Sequence, residues 1–495
     1  MIEQATIDAL KTQAIAEQHL FIDGKWQEAS DRGRDEIYSP IDGALLTTAA
    51  SATAADVDAA VAAARRSFES GVWSRSEPAL RKRVLHKIGD LIAERMDHMA
   101  VLGVRDNGTE MQMAYGAEPG SCAQTFHHSA ECVDKIYGEI APTSDKILGL
   151  VHRNPVGVVG VIIPWNTPLM ITAWKVSAAL AVGNSVVLKP SEDACLNVLE
   201  LTRICQEAGL PDGVLNVVTG SGAVVGDALA RHMDVDVLAF TGSGRVGRLL
   251  LEASAQSNMK RVYLELGGKS PNIVFVDAPD LDMAAAVSAK GFFKNAGQVC
   301  VAPSRLLVEE SIKDDFLAAV VKHSQAIQVG DPLSLTTQMG AINNPRQHQT
   351  VKQFVATALS EGGDVMCGGT PLFEETGGTY FAPTVIDGVG QESNLFKEEV
   401  FGPVLGVTTF KTEEEALALA NGTQYGLAGV VWTANLSRAH RMVAGINSGV
   451  IQVNSMSRIG NEAPMGGMKQ SGNGVDKSLH AFDKYLDYKT AWIHL

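Results

Sequence analysis

Between residues 147 and 274 the chain switches its hydrophobic period repeatedly, and this switching restricts the fold more than any other feature. "SVVLKPS", "VLNVVTG" and "VDVLAFTGS" are short apolar runs of strand length. "ACLNVLELTRICQEAG", "AVVGDALARHM" and "RVGRLLLEASAQ" follow them in turn and read as helices. Strands that alternate with helices of about a dozen residues form βαβ units around a parallel sheet.

The N-terminal third reads differently. "FIDGKWQEAS" predicts a hairpin turning at Asp23-Gly24, and "TAADVDAAVAAARRSF" a helix capped by Thr53. A long helical pair covers Glu77 to Gly108. Gly116 to Asp134 is expected to be helical again after a break at Pro119-Gly120. "ILGLVHRNPVGVVGVIIPW" reads as strands. A second α/β region starts near "PNIVFVDAPDLDMAAAVSAKGFF" and runs to "GVIQVN". No repeat and no Pro/Ser linker separates the regions, so an extensive shared interface is expected.

Composition narrows the function. The net charge of −15 argues against nucleic acid and against an anionic membrane as partners. No uninterrupted apolar run reaches membrane-spanning length, and the N-terminus lacks the basic start and apolar run of a secretory leader. The six cysteines show no CxxC spacing and no cluster with histidine, so no metal site is expected and reduced thiols in the cytoplasm are the natural reading.

Five stretches carry polar groups where chemistry can occur. Gly242 to Gly247 is a GxGxxG between a predicted strand and helix, suited to a dinucleotide pyrophosphate and equally to a close strand–helix turn. "VVLKPSED" puts Lys189 and Glu192 at a strand's end, where they would hold a ribose or simply face solvent. "IIPWNTP" puts Asn166 after an apolar strand, as an oxyanion donor or a turn residue. "YLELGGKSPN" carries Glu265 near the spacing of a ribose-binding acid, though another role suits it better. "FKNAGQVCVAP" carries Cys300, which by itself is open to four readings: packed thiol, disulfide half, metal ligand or nucleophile.

Taken together the chain resembles the aldehyde dehydrogenase superfamily. The motifs are "PWN" 164–166, "LKPSE" 188–192, "FTGS" 240–243, "LELGGKSP" 264–271, "GQVC" 297–300 and "EEVFGPV" 398–404, in the family's order across nearly the whole chain. The tail "KQSGNGVDKSLHAFDKYLDYKTAWIHL" looks most like bacterial members acting on aminobutyraldehyde-type substrates, the γ-glutamyl-γ-aminobutyraldehyde and 4-guanidinobutyraldehyde dehydrogenases among them. The resemblance implies an α/β protein with a Rossmann-like dinucleotide-binding domain (20–131 and 150–267). It also implies a second α/β catalytic domain (268–465) and a small β oligomerisation element (132–149 and 478–495), hence a homodimer or homotetramer.

The same resemblance implies roles. Cys300 would attack the aldehyde, Asn166 and the Cys300 backbone N–H would hold the oxyanion, and Glu265 would activate water against the thioester. Lys189 and Glu192 would hold the adenosine ribose, Gly242 and Ser243 would face the pyrophosphate, Glu399 and Phe401 would place the nicotinamide ribose, and Trp165 would line the cofactor cleft. The family's usual turn is Gly-Ser-Thr, from which Gly244 departs. Glu192 favours NAD over NADP, because a carboxylate there repels a 2′-phosphate. A CoA-acylating enzyme and a catalytically silent binding or structural protein of the same fold are the rival readings, and Glu265 speaks against the first.

The substrate tunnel departs from the relatives' aromatic pattern at Thr167, Lys294 and Met465, and the loop 454–464 brings in Arg458. Met170 and Trp174 are expected to line the tunnel, and Met111, Met113, Met170, Met456 and Met465 would form an adaptable apolar wall. Lys294 and Arg458 would pair with the carboxylate of a semialdehyde, or else face solvent and leave the wall to an apolar aldehyde. Glu118 is the candidate contact for a cationic substrate.

Overall fold

A computed structural model describes residues 2–457 and 460–495. Its first sheet has seven strands in the order 261–265, 237–241, 158–162, 185–189, 215–217, 20–22 and 25–27. The first five of these run parallel, and the Leu20–Ile22/Lys25–Gln27 hairpin adds antiparallel at the opposite edge. Both residues of its turn, Asp23 and Gly24, have positive φ, the conformation that suits the strand twist. Val158–Ile162, Ser185–Lys189 and Val237–Thr241 are buried along their whole length, which explains why they read as continuous apolar runs.

The helix Ala54–Ser70 starts as its sequence requires. Thr53 accepts from the Asp56 N–H while the Asp56 carboxylate accepts from the Thr53 N–H, a reciprocal cap. At Pro119 the structure departs from expectation. Gly116–Gly120 forms a π turn that runs without interruption into the helix Ser121–Cys132. The wider turn accommodates the proline, so the chain bulges where a break was expected.

The second sheet also has seven strands, in the order 364–367, 384–387, 404–410, 305–309, 271–274, 428–432 and 450–453. All but the Asp364–Cys367 edge run parallel. A third sheet pairs Leu486–His494 antiparallel with Ile147–Pro155 over nine residues, and Glu139–Ala141 lies on the other side. Ile147–Pro155 therefore crosses the boundary expected at 149/150: it pairs with the tail as far as Pro155 before the chain enters the first sheet. Among the described residues no helix is long and apolar enough to cross a membrane.

Candidate active site

The strand order of the first sheet reverses beside Val158–Ile162. One neighbour follows it directly in the chain and the other returns much later. Connections leaving in opposite directions open a crevice at the carboxyl ends of such strands. Lys189 and Glu265 are the last residues of their strands, Ser243 lies two beyond Thr241, and Asn166 four beyond Ile162. Sheet topology thus gathers four candidates whose sequence positions span 166 to 265.

The second sheet faces this edge with Cys300. A cavity of about 590 Å³ is lined by Cys300, Asn166, Glu265 and Thr241, and runs outward past Met170 and Trp174. Of the six cysteines Cys300 alone is partly exposed, the other five being buried, and none forms a disulfide. Among the described residues no group of three or more His, Cys, Asp or Glu could hold a metal ion. Cys300 thus stands in the cavity wall as a partly exposed thiol, with no disulfide partner and no such group of ligands beside it.

A hydrogen-bonded loop holds the sulfur in position. Asn295 and Ala296 have positive φ, a strained conformation for non-glycine residues. The surroundings compensate. The Asn295 N–H donates to the Glu110 carboxylate, its Oδ1 accepts from Thr109 Oγ1 at 2.6 Å, and its Nδ2 donates to the Asn166 carbonyl at 3.1 Å. Asn166 Nδ2 in turn donates to the Gln298 carbonyl at 2.9 Å, which leaves its second N–H for a ligand. At Gly297 φ is +71°, and a Cβ would lie 2.3 Å from the Gly402 carbonyl oxygen. At Gly268 a Cβ would lie 2.5 Å from the Cys300 carbonyl oxygen, so that glycine lets the chain pass close to the cavity thiol.

Burial pushes the Cys300 thiol up to about 12, and the nearby Glu399 and Glu265 carboxyls add to the shift. Glu265 is itself held well above the usual carboxylate range, by burial first and then by Asp476. Its Oε1 is buried without a hydrogen-bond partner. A proton acceptor beside the sulfur with an open lone pair is suited to taking a proton from water.

Behind Glu265 lies a group that sequence reasoning missed. Lys175 Nζ donates to Asp476 at 2.7 Å and Lys484 donates to the other carboxylate oxygen, all three side chains buried. Both lysines oppose the rise in Glu265. The signal was present: Lys175 is the one charged residue in the largely apolar helix Pro168–Ala181.

At the cofactor end, Lys189 donates to Glu192 at 2.6 Å, and Glu192 also accepts from the Gly222 N–H at 3.2 Å. Burial raises Glu192, but Lys189 together with the backbone N–H donors, Gly222 among them, outweighs it and leaves the carboxyl below its ordinary value. Trp165 and Phe401 meet edge to face at 5.2 Å. Ser243 caps the helix Gly244–Ala255 by accepting from the Val246 N–H at 3.3 Å. Gly242 approaches the Phe240 ring so closely that a Cβ would lie 2.4 Å from it. Glu399 accepts from the Gly268 N–H at 3.0 Å, and burial lifts it to about 7.

In the tunnel, Met113, Met170, Met456, Met465, Trp174 and Lys294 line the cavity. Met111 does not: it is fully buried in a separate cluster with Ile2 and Ile7, on the other face of its short helix. Glu118 is also absent from the wall. It is buried, accepts from the Leu169 N–H at 2.8 Å, and burial raises it to about 8. It therefore serves the start of the Pro168–Ala181 helix, and the expected contact with a cationic substrate is not made. Arg458 lies outside the described residues. Lys290 and Lys477 line the cavity too, and sequence reasoning singled out neither.

Comparison with known proteins agrees with this geometry. The profile of the Aldehyde dehydrogenase family matches residues 26–491. The NADP/NAD-dependent aldehyde dehydrogenase PuuC of Escherichia coli (strain K12) is 46% identical over 479 residues, 97% of this chain and 96% of its own. The crystal structure of an indole-3-acetaldehyde dehydrogenase complexed with NAD+ superposes with a TM-score of 0.98 at 46% identity, covering 100% of both chains. The γ-glutamyl-γ-aminobutyraldehyde dehydrogenase from Burkholderia cenocepacia J2315 gives 0.97 at 44% identity, again over 100% of both chains. With the crevice, the cavity thiol and these matches in agreement, the chain belongs to the aldehyde dehydrogenase family.

Proposed function

We propose that the protein oxidises a medium-sized aldehyde to the carboxylic acid, with NAD as the oxidant and water as the acyl acceptor. The observation that carries this reading is the meeting of Cys300, Asn166 and Glu265 in one cavity, with a Glu265 oxygen left unpartnered. The Cys300 thiol releases its proton to solvent, and the sulfur adds to the aldehyde carbon as the C=O π bond opens, giving the thiohemiacetal oxyanion. The free N–H of Asn166 Nδ2 and the Cys300 backbone N–H steady the developing oxyanion. NAD, when bound, supplies the acceptor for the hydride lost from that carbon, which leaves a thioester on Cys300. Glu265 then takes a proton from the water that hydrolyses it.

Residues 20–131 and 150–267 hold the cofactor, apart from 150–155, which pair with the tail, and 268–465 bring the thiol. Lys189 and Glu192 hold the adenosine ribose, Gly242 and Ser243 face the pyrophosphate, Glu399 and Phe401 place the nicotinamide ribose, and Trp165 lines the cleft. The ion pair at 2.6 Å, the helix start at Ser243 and the Trp165–Phe401 contact support this assignment. NAD is favoured over NADP because Glu192 offers a carboxylate to the ribose, although Lys189 lessens the discrimination.

The test is NADH formation from an aldehyde with single-turnover resolution. Cys300→Ala should abolish it. Glu265→Gln should keep one rapid turnover per site and lose the steady state, since only hydrolysis needs the base. Acyl-CoA formation in place of acid on adding coenzyme A would establish the acylating alternative.

The protein assembles as a homodimer or homotetramer in the cytoplasm, where its six thiols stay reduced. Tyr488, Trp492 and Ile493 of the tail strand and Ile140 of the facing strand are exposed on the third sheet, 44–74% of each open to solvent. Light scattering should give two or four chain masses, and a single chain mass would overturn the assembly.

A further inference from the structure

The cavity carries a cation that the chemistry above does not use. Lys477 is largely buried and lines the wall, its Nζ 4.7 Å from the centroid of the Trp174 ring, another wall residue. The backbone holds it there at a conformational cost: Lys477 and Ser478 both have positive φ, at 61° and 53°. Its neighbour Asp476 is locked between Lys175 and Lys484, so the position of the segment is set by buried ion pairs.

Two further ammonium groups, Lys290 and Lys294, line the cavity from exposed positions at the end of the helix Leu281–Phe293. The acids among the described lining residues are Glu110 and Glu265. Glu110 is engaged by the Asn295 N–H. Burial lifts it to about 7 and holds Glu265 well above the usual range, so neither carries full charge at neutral pH. Three basic side chains thus stand in the wall against two acids, in a chain whose net charge is −15. Met113, Met170, Met456 and Met465 line the same cavity, so its wall combines apolar side chains with these basic groups.

We infer that Lys477 is a specificity-determining residue that selects aldehydes bearing a carboxylate at the end of an apolar chain, ω-oxo acids, over ω-amino aldehydes and plain alkanals. The inference rests on the aldehyde-oxidising function proposed above. An ammonium held on an indole face in a sheltered site pairs with a carboxylate more strongly than one in water does. An ammonium-ended substrate would meet three like charges instead.

The test is kcat/KM, read as NADH formation, for an ω-oxo acid, an ω-amino aldehyde and an alkanal of equal length, across a short series of lengths. Wild type, Lys477→Met and Lys477→Arg are compared. The wild type should favour the oxo acid about tenfold or more, as a charge-assisted pair would give. The preference should reside in KM, shrink at high salt, disappear in Lys477→Met and survive in Lys477→Arg. A wild type that prefers the amino or the plain aldehyde at every length overturns the inference, as does a Lys477→Met that keeps the oxo-acid preference. The wild-type ranking and its salt dependence decide the matter even where Lys477→Met fails to fold. A wild type that oxidises none of the three would overturn the aldehyde reading itself, and Lys477's role with it.

Discussion

Cys300 offers the sharpest quantitative consequence of the site. Burial, with Glu399 and Glu265 behind it, holds the thiol at about 12. At pH 8 the thiolate is then about one part in ten thousand of the enzyme without cofactor. Only the thiolate attacks an alkylating agent. Iodoacetamide labelling of Cys300, followed by mass spectrometry, should therefore be slow at pH 8 and climb about tenfold per pH unit to pH 10 without a plateau. Glu399→Gln removes one of the negative neighbours and should speed labelling at every pH in that range, with the profile displaced toward lower pH. NAD brings a cationic ring to the same crevice and should act in the same direction. A plateau below pH 9 in the wild type would mean that the thiolate is already formed. An unchanged profile in Glu399→Gln would mean that the carboxyl does not reach the sulfur. Either result would refute this account of the site's electrostatics.

Other perturbations test the supporting structure. Glu118 is raised in the folded state from 4.5 to about 8, so its stabilising share is present at low pH and lost as pH rises through about 8, on the order of 5 kcal/mol at most. The melting temperature of the wild type should fall more steeply between pH 6 and 9 than that of Glu118→Gln, and equal slopes would refute the assignment. Gly297→Ala places a Cβ 2.3 Å from the Gly402 carbonyl oxygen at a φ of +71°. It should cost roughly 2–4 kcal/mol, seen as a lowered denaturation midpoint, together with loss of turnover. Lys175→Met leaves Asp476 with Lys484 and removes one of the cations that oppose the rise in Glu265. It should cost roughly 3 kcal/mol and move the rising limb of kcat against pH to higher pH. An unmoved limb would show that the buried group does not reach the base.

Some of this was readable residue by residue. Thr53 caps its helix and Asp23-Gly24 turns its hairpin, as read, because both depend on neighbours within four positions. The apolar runs at 158–162, 185–189 and 237–241 are buried parallel strands because such strands are covered on both faces and carry no alternation. At Pro119 the local pattern points to a break, whereas a proline also fits the π turn that forms there. Met111 and Met113 are identical to a sequence reader, yet one is core and the other faces the tunnel; the packing of their helix decides.

Local period and capping determine the elements, so the sequence alone determined an α/β protein with a parallel sheet, and the order of six motifs determined its family. The site depended on contacts that no local pattern contains. Asn166 meets Gln298 across 132 residues, and Lys175 meets Asp476 across 301. Whether Cys300 is a packed thiol or a cavity thiol, whether Glu265 keeps a free oxygen, and whether Lys477 faces the tunnel are decided by how two sheets close on each other. Tertiary packing alone sets those distances, since burial and Coulomb interactions act through space and not along the chain.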